Sequence, residues 1–210
     1  MQRREFNQYL QRSAVALALA PWLGAMAAPS EQRRAWRSNP FALGVASGRP
    51  RADSMVLLTR LLFSEEDSAF ATETLRVDVE VFADAGLKRR VQRAEAVTNA
   101  TRGHSVHVHL QHLQPSTDYW FRFRQGDALS PVGHTRTAPA LNADVRQLRI
   151  ALTSCQHYEQ GQYVAHADIA QQPLDFVLFM GDYIYESSNA QYAIRKHSNE
   201  EPKTLQGYRE

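Results

Sequence analysis

The stretch "LQPSTDYWFRFRQG" (Leu113–Gly126) starts as a turn and continues as an alternating run. Tyr119, Phe121 and Phe123 fall on one side, and Trp120, Arg122 and Arg124 on the other. Successive side chains of an extended chain point to opposite faces, so this period of two predicts a half-buried strand. The pattern recurs upstream. "LRVDVEVFAD" (Leu75–Asp84) sets Val77, Val79 and Val81 against Asp78 and Glu80, and "HSVHVHLQHL" (His104–Leu113) aligns Val106, Val108 and Leu110. "SMVLLTRLL" (Ser54–Leu62) is a further strand, preceded by the Pro- and Gly-punctuated "NPFALGVASGRP" (Asn39–Pro50). Several short alternating strands with turns between them predict an antiparallel β-sandwich, each sheet with one solvated face.

The turn itself is informative. Leu113-x-Pro115 followed by Tyr119 resembles the tyrosine corner of fibronectin type III-like domains. "RTAPA" (Arg136–Ala140) reads as the end of that domain, which is placed at residues 39–140 behind a polar, Arg-rich linker over 28–38.

The first 27 residues have the three parts of a secretory signal. Arg3 and Arg4 come first, the apolar run Ser13–Ala27 follows, and Ala25-Met26-Ala27 forms a small-residue cleavage site. Arg-Arg-x-Phe (Arg3–Phe6) resembles the twin-arginine type, and the apolar run is too short to span a membrane. The expected location is therefore periplasmic or secreted, reached through the twin-arginine export machinery, with no stable membrane anchor after cleavage. Cleavage after Ala27 removes Arg3, Arg4, Arg12 and Glu5 and takes the formal charge from +2 to zero. A neutral chain without a basic patch argues against a nucleic-acid surface. Apolar residues make up 43% of the chain, enough for a real core. The single cysteine, Cys155, has no disulfide partner within the chain. A lone thiol in an exported protein that folds before export fits a metal loaded in the cytoplasm.

After Val145 the texture changes. "LRIALT" (Leu148–Thr153) and "LDFVLFM" (Leu174–Met180) are continuous apolar runs, as expected of strands covered on both faces. Between them Tyr163, Ala167 and Ala170 recur at helical spacing, which predicts a helix over Gln160–Gln171 stopped near Pro173. Strand, helix and strand of this length form the first βαβ unit of an α/β domain beginning at residue 146, with a further helix expected near Thr204. Two strands leave open edges and little core, so residues 146–210 read as an incomplete domain, and the 210-residue piece alone is expected to be inactive.

Ligands gather at the carboxyl ends of strands in such sheets. Cys155 lies just past the first strand and Asp182 just past the second, with Tyr185 three residues on. Thiolate, carboxylate and phenolate form an anionic set suited to a strongly polarising ion such as ferric iron. Asp182 is also suited to bridging two metals, an arrangement that serves phosphoryl transfer. Taken singly, each residue has a plain alternative: a buried small side chain, a turn aspartate, a packed ring.

"GDYIYE" (Gly181–Glu186) matches the Gly-Asp-x-x-Tyr motif of purple acid phosphatases and related metallophosphoesterases. Together with the twin-arginine signal, "NPFALGVASG", "SPVGHTRTAP", "SCQHYEQGQY" and "TLQGYRE", the chain resembles the alkaline phosphatase D (PhoD) family along nearly its whole length. The resemblance implies an exported hydrolase of phosphate mono- and diesters acting through metal-activated water. It implies Cys155, Asp182 and Tyr185 as ferric-iron ligands, with Asp182 also bridging to calcium. Further ligands are expected from later Asp-, Asn- and His-containing segments. Arg49 and Leu58 depart from the family's usual Asp and Trp, both outside the expected site. The rival reading is a non-catalytic exported β-sandwich binding module with a vestigial metallophosphatase segment.

Four histidines, His104, His107, His109 and His112, read as an exposed sheet face, with a small metal site as the alternative. His157 and Tyr158 are expected either beside the metal or in a plain loop, and Arg195 and His197 in a solvated tail. No P-loop, dinucleotide fingerprint or nucleophile elbow is present.

Overall fold

Alternation in the sequence becomes two antiparallel sheets in the computed structural model, which describes residues 35–188, 191–197 and 200–209. The expected signal at 1–27 lies outside the described residues. The strands are β1 (Val45–Gly48), β2 (Met55–Arg60), β3 (Leu75–Phe82), β4 (Arg90–Thr98), β5 (Ser105–Leu110), β6 (Asp118–Gln125), β7 (Ala128–Leu129), β8 (Gly133–Arg136), β9 (Ile150–Thr153) and β10 (Phe176–Phe179). One helix, α1 (Val164–Ile169), separates the last two strands.

One sheet runs β1-β2-β5, and the other runs β4-β3-β6, with β7 and β8 sharing the far side of β6. The register sets like against like. Val79 faces Phe123 and Val81 faces Phe121 across β3 and β6, while Leu57 faces Val108 across β2 and β5. These inward residues join Phe41, Met55, Val77, Val106 and Leu110 in one core. Outward, Glu80 is shared by Arg90 at 2.6 Å and Arg122 at 3.1 Å. Burial alone would raise the Glu80 pKa, but these two guanidinium partners outweigh it and hold the carboxyl below its usual range.

Tyr119 is buried, and its hydroxyl oxygen accepts the Gln114 N–H at 2.8 Å, the hydrogen bond that a tyrosine corner makes to backbone just upstream. Phe121 is 1% exposed, and its ring lies over the backbone of Gly133, where a Cβ would come within 2.3 Å of Cζ. A glycine is required there because the ring occupies the side-chain space. Residues 36–38, read as the end of a linker, are tied to the sandwich. Trp36 Nε1 donates to the Gln125 side chain at 2.8 Å, and the Arg37 and Ser38 N–H groups donate to buried Asp67.

The C-terminal part corrects the expectation of buried strands. β9 and β10 pair in parallel, with Ile150 opposite Phe176 and Thr153 opposite Phe179. Every residue of β10 is exposed, Leu152 is 63% exposed, and α1 buries nothing. An apolar strand is buried only when other elements cover both faces, and among the described residues none does. α1 also has six residues instead of the twelve expected, and residues 204–208 form turns instead of a helix. The helix starts late because Tyr163 takes a left-handed conformation, φ 57°, and leaves Gln160–Gln162 outside it. Among the described residues, no helix is long and apolar enough to cross a membrane.

Candidate metal centre

The parallel register puts the carboxyl ends of β9 and β10 side by side. Met180 N–H donates to the Thr153 carbonyl at 2.8 Å and Gln156 N–H to the Asp182 carbonyl at 3.3 Å, so the chains stay together past the strands. Cys155 and Asp182 then take left-handed backbone conformations, with φ 58° and 47°. Such angles are uncommon for residues with a Cβ and gather where structure over-determines the backbone. Their effect is to turn both side chains toward one point.

That point is Asp182 Oδ2. It accepts the Tyr185 hydroxyl at 2.9 Å and lies 3.7 Å from Cys155 Sγ. The three residues singled out in the sequence thus converge on one oxygen, and Cys155 is exposed. Hydrogen bonding to Cys155 and then to Asp182 pushes the Tyr185 pKa well above the ordinary phenol value. The phenol therefore keeps its proton while no cation is present. Sulfur, carboxylate and phenol oxygen around one position fit a hard, highly charged ion, which favours the deprotonated thiol and phenol. Among the described residues no three of His, Cys, Asp and Glu come together in a way that could hold a metal ion.

The flanking loops hold this arrangement. Gln156 Nε2 donates to the Tyr183 carbonyl at 3.0 Å. The His157 ring lies 4.6 Å from the Tyr185 ring and faces the Ser187 carbonyl at 3.2 Å, which places His157 beside the site. Arg195 and His197, expected in a solvated tail, are half-buried and tied back onto the loops. Arg195 stacks 3.9 Å over the Tyr158 ring and donates to the Tyr158 carbonyl, while His197 Nδ1 lies 3.2 Å from Glu159 Oε1. Tyr158, Glu159 and His197 line a cavity of about 590 Å³ that reaches Tyr185, with Tyr208 also in its wall. The Tyr208 hydroxyl donates to Glu186 at 2.7 Å, and Arg209 donates to the carbonyls of Ala100 and Thr101 at 3.3 and 3.0 Å. Arg60 donates back to the Arg209 carbonyl at 3.0 Å. Glu159, Ser188, Tyr208 and Arg209 are not singled out by the sequence, since no spacing marks a contact made across 22 to 109 residues.

The four clustered histidines separate. His107 and His109 project from the exposed face of β5, as expected, whereas His104 is buried with Nε2 2.8 Å from the Ala71 carbonyl and its ring edge-on to Phe63.

Comparison with known proteins gives a consistent result. The N-terminal domain of PhoD-like phosphatase matches residues 25–139, and PhoD-like phosphatase matches residues 150–210. Alkaline phosphatase D of Bacillus subtilis (strain 168) is 39% identical over 219 residues, covering 99% of this chain and 37% of that protein. A solved structure of PhoD superposes with a TM-score of 0.77 at 39% identity, covering 84% of this chain and 35% of the other. The chain thus spans little more than a third of the relatives it matches.

Proposed function

The chain belongs to the PhoD-like phosphatase family, and on that premise we propose that it carries part of the metal centre of an exported phosphate-ester hydrolase. The observation that supports this most is the convergence of Cys155, Asp182 and Tyr185 on one carboxylate oxygen from two adjacent strand ends. In this reading they hold ferric iron, and Asp182 also reaches calcium. When bound, such ions supply Lewis acidity that polarises the phosphoryl group and activates water. The protein's own part is to gather the donors, and to release the thiol and phenol protons as they become ligands, so that ion uptake strengthens with rising pH. The sandwich is proposed to be of the fibronectin type III kind, and the chain from residue 146 onward to be the start of the metallophosphatase domain.

The test is spectroscopic. Supplied with ferric nitrilotriacetate, the chain is expected to develop a visible tyrosinate-to-iron charge-transfer band, and Tyr185→Phe to lack it while still folding. A colourless wild-type protein, or a band that survives in Tyr185→Phe, counts against the assignment and favours the binding-module reading.

Export by the twin-arginine route to the periplasm or medium is proposed from Arg3, Arg4, the apolar run and Ala25-Met26-Ala27. The intact mass of the exported protein is expected to place its first residue at Ala28, and a retained Met1 would sink the proposal.

A further inference from the structure

We infer that Glu159 is a positioning residue for Tyr185, a role that rests on the metal-centre reading above. Beyond Thr137, Glu159 is the only buried residue among those described, at 1% exposure. A glutamate is almost never so deeply buried unless it is paired. Here the partners come from three loop segments. The Ser188 hydroxyl donates to the carboxylate, 2.8 and 3.0 Å from its two oxygens. His197 donates from its backbone N–H at 3.3 Å and from ring Nδ1 at 3.2 Å. The main chain of Glu159 contributes as well, its carbonyl accepting the Ile194 N–H at 2.8 Å and its own N–H donating to His157 Nδ1 at 3.1 Å.

That last bond settles the His157 tautomer. With Nδ1 accepting, the neutral ring carries its proton on Nε2, which points at the Ser187 carbonyl 3.2 Å away. The same ring packs 4.6 Å from Tyr185. Tyr185 is therefore held on one side by Asp182 and on the other by a ring that the Glu159 main-chain N–H orients. The carboxylate acts on Tyr185 by fixing the loop that carries that N–H and the Ser187–Ser188 segment. The loop two and three residues beyond Tyr185 is pinned at Ser187 and Ser188 by the same network. Among the described residues beyond Thr137 no apolar side chain is buried, and this buried carboxylate does the anchoring that packed side chains do in the sandwich. Without it, the Ser188 hydroxyl and the His197 N–H lose their acceptor, and the loops that carry the His157 ring and flank Tyr185 lose their anchor.

The experiment compares wild type, Glu159→Ala and Glu159→Gln by ferric nitrilotriacetate titration and by hydrogen exchange of the metal-free amides of residues 183–188. Glu159→Ala is expected to weaken iron binding about 10- to 100-fold, the range for groups that orient ligands from behind, to shift or abolish the charge-transfer band, and to speed exchange in 183–188. Glu159→Gln keeps an acceptor oxygen and is expected to recover affinity to within a few-fold. Urea unfolding of the sandwich, followed by fluorescence of Trp36 and Trp120, is expected to be unchanged in both. Wild-type affinity, band and exchange in Glu159→Ala would overturn the positioning role while the metal reading stands. A wild-type protein with no band would overturn both.

Discussion

Replacing Asp182 with alanine is expected to lower kcat/KM for p-nitrophenyl phosphate by about three orders of magnitude, roughly 4 kcal/mol of transition-state stabilisation. The assay is to be made in a chimera that joins this chain to the remaining length of the Bacillus subtilis relative. Asp182 Oδ2 lies 2.9 Å from the Tyr185 hydroxyl and 3.7 Å from Cys155 Sγ. Losing Cys155 or Tyr185 removes one donor, whereas losing Asp182 removes the centre on which the set converges. Its backbone is left-handed, φ 47°, a conformation aspartate and asparagine tolerate better than alanine, so Asp182→Asn is the companion variant that separates loss of the carboxylate from backbone strain. Retention of a tenth or more of wild-type kcat/KM, with the wild-type unfolding curve, would show that Asp182 is not at the reacting centre.

The second large effect concerns stability. Phe121→Ala is expected to destabilise the sandwich by about 3–5 kcal/mol, the usual range for removing a buried aromatic ring. Such a loss is a large fraction of the whole stability of a small domain. The ring packs edge-to-face with Phe123 at 6.1 Å and covers the Gly133 backbone, and the register with Val81 leaves no neighbour free to slide into the space. A main chain locked in three-stranded pairing does not collapse around a cavity, so the upper part of the range applies. Urea unfolding followed by tryptophan fluorescence measures the change, and a loss under about 1 kcal/mol would show that the site repacks.

The sandwich was legible because its strands carry their own pattern. Val77, Val79 and Val81, or Tyr119, Phe121 and Phe123, announce a face without reference to anything else. β4 escaped notice because "RVQRAEAVT" turns only small or polar residues inward, Ala94, Ala96 and Thr98, among charged neighbours, as an edge strand can. β9 and β10 misled in the opposite way. A continuous apolar run states that a strand is suited to burial, while what buries it belongs to other elements. That Cys155, Asp182 and Tyr185 meet was legible because the strand ends and the Gly-Asp-x-x-Tyr motif place them together, but their neighbours were not. Glu159, between His157 and Gly161, looks like an ordinary loop glutamate, and its partners at Ser188 and His197 are fixed only by the folded path of the loops. His104 shows the same limit. Four nearby histidines resemble a cluster, yet a left-handed turn at φ 54° sends this one inward.

The link from Arg209 to Ala100 and Thr101 bears on the order in which the chain folds. It joins residues 109 and 108 apart, and closing a free loop of that length costs about 4 kcal/mol of chain entropy. Two hydrogen bonds at the surface do not offset that in a disordered chain. The sandwich lowers the cost by folding first, since β5 to β8 draw in part of the intervening chain and the Ala100–Gly103 turn is left already formed as a landing place. Gly103 is shaped for this, since a side chain there would meet Arg209 Nε at 2.9 Å. The C-terminal loops thus assemble late, on a template that is already rigid, and refolding is expected to show tryptophan burial in the sandwich before Tyr208 and Arg209 are in place.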